Sequence, residues 1–388
     1  MKDKIKIAHV VGGLSGGGVE AVIYNHFSHM DLDKFEVHVI SNSPSVKECE
    51  EQFKNLGFII HVLPERRKNL KKNLSETVKI FKENRFDILH VHMNLNCFYH
   101  TFLGLICGIP VRIAHSHLVE FPEGAINKGV ARVRKFLTRL TANRYFACGE
   151  EAAVYLFGKM NMDRGRVHIL KNAIEPERFE FNKEYRKTIR EELNISDDCL
   201  CFGNIGRFTE QKNQMFLLDV FKEILEKEDN CRLLLFGKGE LENDLRGKAE
   251  HLGIKDKVVF MGVKNDIHRY YNAMDAFLFP SVYEGLGIVL VEAQTSGLKS
   301  FASSAVPKEV KLSNLVEFIS LKKDSKYWAG KILKGFSEPA LDRIHDSNGN
   351  LWKDYVINAG YDIKESAKEL ENYYSLECRK NRKNKKVK

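Results

Sequence analysis

Along most of its length the chain alternates short apolar runs with amphipathic stretches of helical length, and that alternation admits few folds. A short, continuously apolar run reads as a strand buried on both faces. Such strands separated by helix-sized segments are βαβ units, which assemble into parallel sheets. In the first half the runs are Ile5 to Val11, Phe35 to Ile40, Phe58 to Leu63, Ile88 to His92, Arg112 to Ala114, Arg144 to Ala147 and Val167 to Leu170. A polar stretch from Glu175 to Lys187, followed by a helical segment ending near Leu193, interrupts the pattern and marks the linker. Cys201 to Ile205, Arg232 to Phe236, Val258 to Phe260 and Ala276 to Pro280 then build a second, similar domain. The expected boundaries are 1–185 for the first α/β domain and 186–360 for the second. A helix over 361–377 follows, with Ile363, Ala367, Leu370 and Tyr374 on one face, and then a disordered basic tail over 378–388.

The length of 388 residues suits two such domains. With 43% hydrophobic and 29% charged residues and no apolar window of spanning length, the chain reads as water-soluble. Met1 to Lys6 runs straight into the first strand without the apolar segment of a secretory signal, so a cytoplasmic location is expected. The 8 cysteines show no CxxC pair and read as reduced, buried small hydrophobes. The net charge of +9 is unevenly spread. Between Asn127 and Cys148 stand Lys128, Arg132, Arg134, Lys135, Arg139 and Arg144 without an acid, while Val130, Val133, Leu137 and Leu140 recur at helical spacing. A helix there pairs an apolar stripe with a basic face. It fits either packing on the sheet or contact with the anionic inner face of a cell membrane.

The stretch from Phe279 to Ala293 carries the most chemistry. A buried strand ends at Pro280, a glycine-flanked turn follows, and Ile288 to Gln294 reads as a helix. Glu284 and Glu292 bracket that turn. The amides around Gly287 and Ile288 become donors at a helix start, where unpaired N–H groups and the helix dipole favour phosphate. Gly206, Arg207 and Lys212 follow the first strand of the second domain: the glycine gives room, the Arg207 fork matches two phosphate oxygens, and Lys212 adds a compact charge. Fixed cations at such a strand end favour a phosphate-bearing ligand. No Asp-x-Asp follows a strand and no His/Cys cluster has ligand spacing, so no metal cofactor is expected.

This stretch resembles the Glu-x7-Glu motif of the retaining glycosyltransferases of family four. Gly206, Arg207 and Lys212 are similar to that family's Gly-Arg-x-x-x-x-Lys clamp, and the likeness extends over nearly the whole chain. It implies the GT-B fold, two Rossmann-like doubly wound α/β domains facing a central cleft, and transfer of a hexose or N-acetylhexosamine with retention. The donor would be a nucleotide diphosphate sugar, expected to be UDP-linked. The acceptor would be a glycan or a polyprenyl-diphosphate-linked sugar in surface polysaccharide biosynthesis, with no nucleic acid involved. Residue by residue, the resemblance implies Glu284 on the donor sugar, Glu292 on the ribose, Gly287 and Ile288 on the diphosphate, and Val263 and Lys264 near the base. It also implies Gly16 and Gly17 closing on the diphosphate from the first domain, and a histidine touching the sugar. Register leaves His115 and His117 both open for that place, with His117 preferred; His90 and His92 read as packing.

The loop Gly12 to Glu20 also satisfies GxGxxA through Gly16, Gly18 and Ala21, but Ile40 is followed by Ser41 and Asn42 rather than by a ribose-binding acid. A dehydrogenase is thereby excluded. One segment departs from the family: Leu298 to Ser304 reads as an atypical loop where Pro and a Ser/Thr-Asp pair are usual, with Glu309 beyond it. A nucleotide-sugar epimerase of the same fold and a non-catalytic basic adaptor are the rival readings.

Overall fold

A computed structural model describes residues 4–119, 124–336 and 342–386. The chain forms two compact units, Met1–Ala173 with Ile363–Lys388, and Ile174–Asp362.

The first unit holds seven parallel strands: β1 (Ile5–Val11), β2 (Phe35–Ser41), β3 (Ile59–Val62), β4 (Ile88–Val91), β5 (Val111–Ser116), β6 (Arg144–Ala147) and β7 (Val167–Ile169). Their order is β3-β2-β1-β4-β5-β6-β7, so the winding reverses between β1 and β4. Doubly wound sheets bind ligands outside the carboxyl ends of their strands at such a reversal. Alternation along β1 divides the core in two. Ala8 and Val10 pack with Leu89, Val91 and Leu103 on one face, while Ile7 and Val11 pack with Ile23, Phe27, Ala367, Leu370 and Tyr374 on the other. The last three come from the helix Ile363–Lys386.

That helix continues through residues set aside as a disordered tail. Glu377 is buried and pairs with Arg144 at 2.6 Å, and Cys378 is buried, so the helix is anchored where the tail was expected to begin. The helix Ala125–Thr141 turns Ala131, Thr138 and Thr141 inward. Its large apolar side chains face out, with Ile126 83%, Phe136 59% and Leu140 66% exposed. Among the described residues no helix is long and apolar enough to cross a membrane.

The second unit holds β8 (Leu200–Ile205), β9 (Cys231–Phe236), β10 (Val258–Gly262), β11 (Ala276–Phe279), β12 (Lys299–Ser303) and β13 (Val316–Ile319), in the order β10-β9-β8-β11-β12-β13. All of its pairings are parallel. The segment expected to be an atypical loop is β12, an inner strand whose Ser300, Phe301, Ala302 and Ser303 are all buried. The stretch expected to be a linker is also part of this unit. Arg186 and buried Arg190 on the helix Lys183–Glu192 grip Asp275 at 2.7 and 3.2 Å, fixing that helix just ahead of β11. The chain therefore passes between units at 173/174 and 362/363 rather than at 185/186.

Candidate active site

β8 ends at Ile205 and hands over to Gly206. A Cβ at Gly206 would lie 3.2 to 3.3 Å from the Lys212 side chain, tighter than an ordinary contact, so glycine leaves the lysine its path beneath the strand end. Lys212 reaches Glu284 with Nζ–Oε1 at 2.6 Å, and lies 5.1 Å from the centre of the Phe279 ring. Their side chains are 18% and 7% exposed, so the pair is screened little by water.

The loops after β8 and β11 are laced together around this pair. Val282 N–H donates to the Gln211 carbonyl at 2.8 Å, Gln211 Nε2 to the Tyr283 carbonyl at 3.0 Å, and Asn213 Nδ2 to the Pro280 carbonyl at 3.2 Å. Buried Asn204 donates to the Leu278 carbonyl at 2.7 Å, and Gln214 Nε2 lies 3.2 Å from the carbonyl of Arg207. The Arg207 backbone is thus held while its side chain is exposed, and its guanidinium has no partner among the described residues. The next loop is pressed against this one. Gly237 has φ of 133°, and a Cβ there would run into the Gly206 carbonyl, so only glycine fits.

Gly287, at φ 89°, caps the helix Ile288–Thr295. Glu284 precedes that turn and Glu292 follows on the helix, where its Oε2 accepts a hydrogen bond from Tyr271 Oη at 2.7 Å. Burial pushes the Glu292 carboxyl up to about 7, against the opposing pull of the Tyr271 hydrogen bond and the Arg178 charge. Burial raises the Tyr271 hydroxyl well above its ordinary value too, reinforced by the Glu292 charge. Val263 and Lys264 follow β10, two strands from β8; Val263 is exposed and Lys264 Nζ lies 5.6 Å from the Tyr270 ring centre.

In the first unit, Gly16 has φ of 76° and Gly17 caps the helix Gly18–Phe27, its carbonyl accepting from Ala21 N–H at 3.1 Å. His115 is fully enclosed, whereas His117 is 9% exposed at the end of β5. Burial pushes the His117 imidazole down to about 3, so it is neutral at physiological pH.

Two family models cover most of the chain. Residues 185–343 match "Glycosyl transferases group 1", and residues 16–178 match "Glycosyltransferase Family 4". The chain is 30% identical over 380 residues to the "Putative glycosyltransferase EpsF" of Bacillus subtilis (strain 168), covering 97% of each. The chain belongs to glycosyltransferase family 4. This glycosyltransferase is also 25% identical to the Escherichia coli UDP-Gal:alpha-D-GlcNAc-diphosphoundecaprenol alpha-1,3-galactosyltransferase, over 92% of the chain and 98% of that protein. The Anabaena Alr3699/HepE structure with UDP and glucose superposes with a TM-score of 0.76 at 16% identity, covering 96% of this chain and 99% of that one. The two parallel-sheet units have the GT-B fold.

Within the glycosyltransferase, Tyr271, Gln211, Gln214 and Asn204 support the site residues, and no motif in the sequence singles them out. The Lys212–Glu284 contact was equally hidden, because both side chains read separately as donor contacts.

Proposed function

We propose that the enzyme moves a hexose or N-acetylhexosamine, with retention of configuration, from a UDP-linked sugar to a glycan or polyprenyl-diphosphate-linked acceptor in surface polysaccharide biosynthesis. The observation that carries this reading is the Lys212–Glu284 pair, enclosed beneath a strand end between an exposed Arg207 and the helix start at Gly287. Arg207 and Lys212 neutralise the leaving diphosphate, and the Gly287 and Ile288 amides add fixed dipoles. Gly206 leaves room for the phosphates. Glu284 holds the donor sugar and keeps Lys212 aimed until the donor arrives. Glu292, with Tyr271 on one oxygen, offers the other to the ribose. Val263 and Lys264 border the base, Gly16 and Gly17 meet the diphosphate, and His117 rather than enclosed His115 touches the sugar. The cations do the electrostatic work on the diphosphate without a metal.

The lipid-linked acceptor class is supported by the name of the E. coli relative. It also agrees with the outward apolar residues of the helix Ala125–Thr141, flanked by Arg132 and Arg139, which suit the anionic inner face of the cell membrane. The test is a thermal-shift screen of purified protein against UDP, GDP, ADP and their sugar conjugates, beside an Arg207→Ala/Lys212→Ala variant. Stabilisation by UDP and its conjugates, lost in the variant, is expected. No shift with any nucleotide would remove the donor site from this unit. Consumption of donor without acceptor would favour an epimerase.

A further inference from the structure

The first sheet buries five histidines along one face: His9 from β1, His90 and His92 from β4 and beyond it, and His115 and His117 from β5 and beyond it. This is the face covered by Tyr374 of the last helix. The rings are stacked along each strand, with centres 4.2 Å apart for His90 and His92 and 3.9 Å for His115 and His117.

Their hydrogen bonds leave nitrogen capacity over. His92 Nδ1 lies 2.8 Å from His117 Nε2, and His92 Nε2 lies 3.0 Å from His9 Nδ1. His115 Nδ1 lies 3.0 Å from His90 Nε2, whose other nitrogen meets the Tyr374 hydroxyl at 2.7 Å. His115 Nε2 is buried with no partner among the described residues. A neutral imidazole has one N–H and one lone pair, so an enclosed ring nitrogen left alone costs stability that an apolar residue would not. Of the five rings, His115 and His9 each leave a buried Nε2 without a partner among the described residues.

We propose that His92, His115 and His117 hold a divalent late transition metal of the zinc class. One nitrogen of each ring lies within 4.8 Å of the others. Tetrahedral zinc, with Zn–N bonds of about 2.0–2.1 Å, needs its ligands about 3.4 Å apart, within reach of small ring movements. Three imidazoles without a carboxylate select zinc, copper, nickel or cobalt over magnesium, calcium or manganese. A second shell is at hand: His9 Nδ1 lies 3.0 Å from the far nitrogen of His92 and His90 Nε2 3.0 Å from that of His115, positions from which each would accept the N–H of a metal-bound tautomer. The alternative trio His9, His90 and His92 lies deeper; His90 and His92 each have both ring nitrogens engaged, whereas the chosen trio contains His115, whose Nε2 is open, and His117 at the rim. His117, at the 9% exposed edge, gives the chosen trio an entry path. The site shares His117 with the proposed donor site but uses neither Lys212 nor Glu284, so metal retention is read separately from nucleotide binding.

The test uses tag-free full-length enzyme, stripped with chelator and dialysed against Zn2+ or Co2+. The expected result is one equivalent of zinc retained through gel filtration, a Co2+ adduct with visible absorption of low-coordinate cobalt, and a raised melting temperature. His117→Gln, at the rim and therefore able to fold, and His92→Gln should each weaken binding at least a hundredfold. The melting curve of His117→Gln without metal checks that it is folded. Failure of the folded parent to retain stoichiometric metal would overturn the proposal, as would retention undiminished in His117→Gln.

Discussion

Lys212 and Glu284 are assigned both a folding and a chemical task, and the two can be separated. The pair is 2.6 Å long, with side-chain exposures of 18% and 7%. Removing one partner from a fully buried ion pair costs about 3–5 kcal/mol because the other charge is stranded. The water still reaching Lys212 reduces this to about 2 kcal/mol. In a unit of this size, Lys212→Ala should therefore lower the melting temperature by about 4–8 °C. Lys212→Met combined with Glu284→Gln removes both charges at nearly constant volume, strands neither, and should recover most of that loss. Turnover should not follow. Every variant lacking Lys212 should remain slower by about a hundredfold or more, the scale of losing one preorganised donor at a developing oxyanion. Calorimetric melts and steady-state rates of the parent, the two single variants and the double variant complete the cycle. Recovery of activity together with stability in the double variant would reduce Lys212 to a structural partner of Glu284 and refute its catalytic role.

Glu292 gives a pH signature. Its folded carboxyl, raised from the ordinary 4.5 to about 7, favours the protonated form, so its stabilising share is complete below about 4.5 and is lost as the pH rises through about 7. The loss approaches about 3 kcal/mol relative to Glu292→Gln, measured by denaturant melts at pH 5 and pH 8. Over the same range UDP should bind more tightly as Glu292 ionises and becomes a better acceptor for ribose hydroxyls; a slope unchanged in Glu292→Gln would assign it to another group. Gly237→Ala forces a methyl into the Gly206 carbonyl at a φ of 133° and should cost about 2–5 kcal/mol, seen as a fall in melting temperature. The enzyme should sediment with anionic and not with neutral vesicles, and Phe136→Ser/Leu140→Ser should abolish this; equal binding to both vesicle types would sink the electrostatic account.

The parallel sheets were legible because strands such as β4 and β11 are apolar at every or nearly every position. Their neighbours β12 and β13 were not. Lys299, Ser300 and Ser303 in β12 are polar, and the serines are buried on local hydrogen bonds that only the folded chain supplies, such as Ser300 Oγ to the Leu298 carbonyl at 3.0 Å. The site shows the same division. Glycines and charges at strand ends announce themselves by spacing, whereas Tyr271 reaches Glu292 from a separate helix and His9 joins the other histidines only through sheet register. The linker was misplaced because Arg186 and Arg190 look solvent-exposed in a polar stretch. Their partner Asp275 lies far along the chain.

The helix Ile363–Lys386 sets an order of events during synthesis. Its Ala367, Leu370 and Tyr374 complete the core of the first unit, and His26 waits for Ser366 at 2.9 Å. A nascent first unit emerging from the ribosome therefore lacks one wall while the whole of Ile174–Asp362 is translated. Until the last helix docks, the ring of His90 that meets Tyr374 and the apolar face beside Phe27 stay open to water and to chaperones. Fragments that stop near residue 360 should accordingly yield a soluble second unit beside a first unit that aggregates.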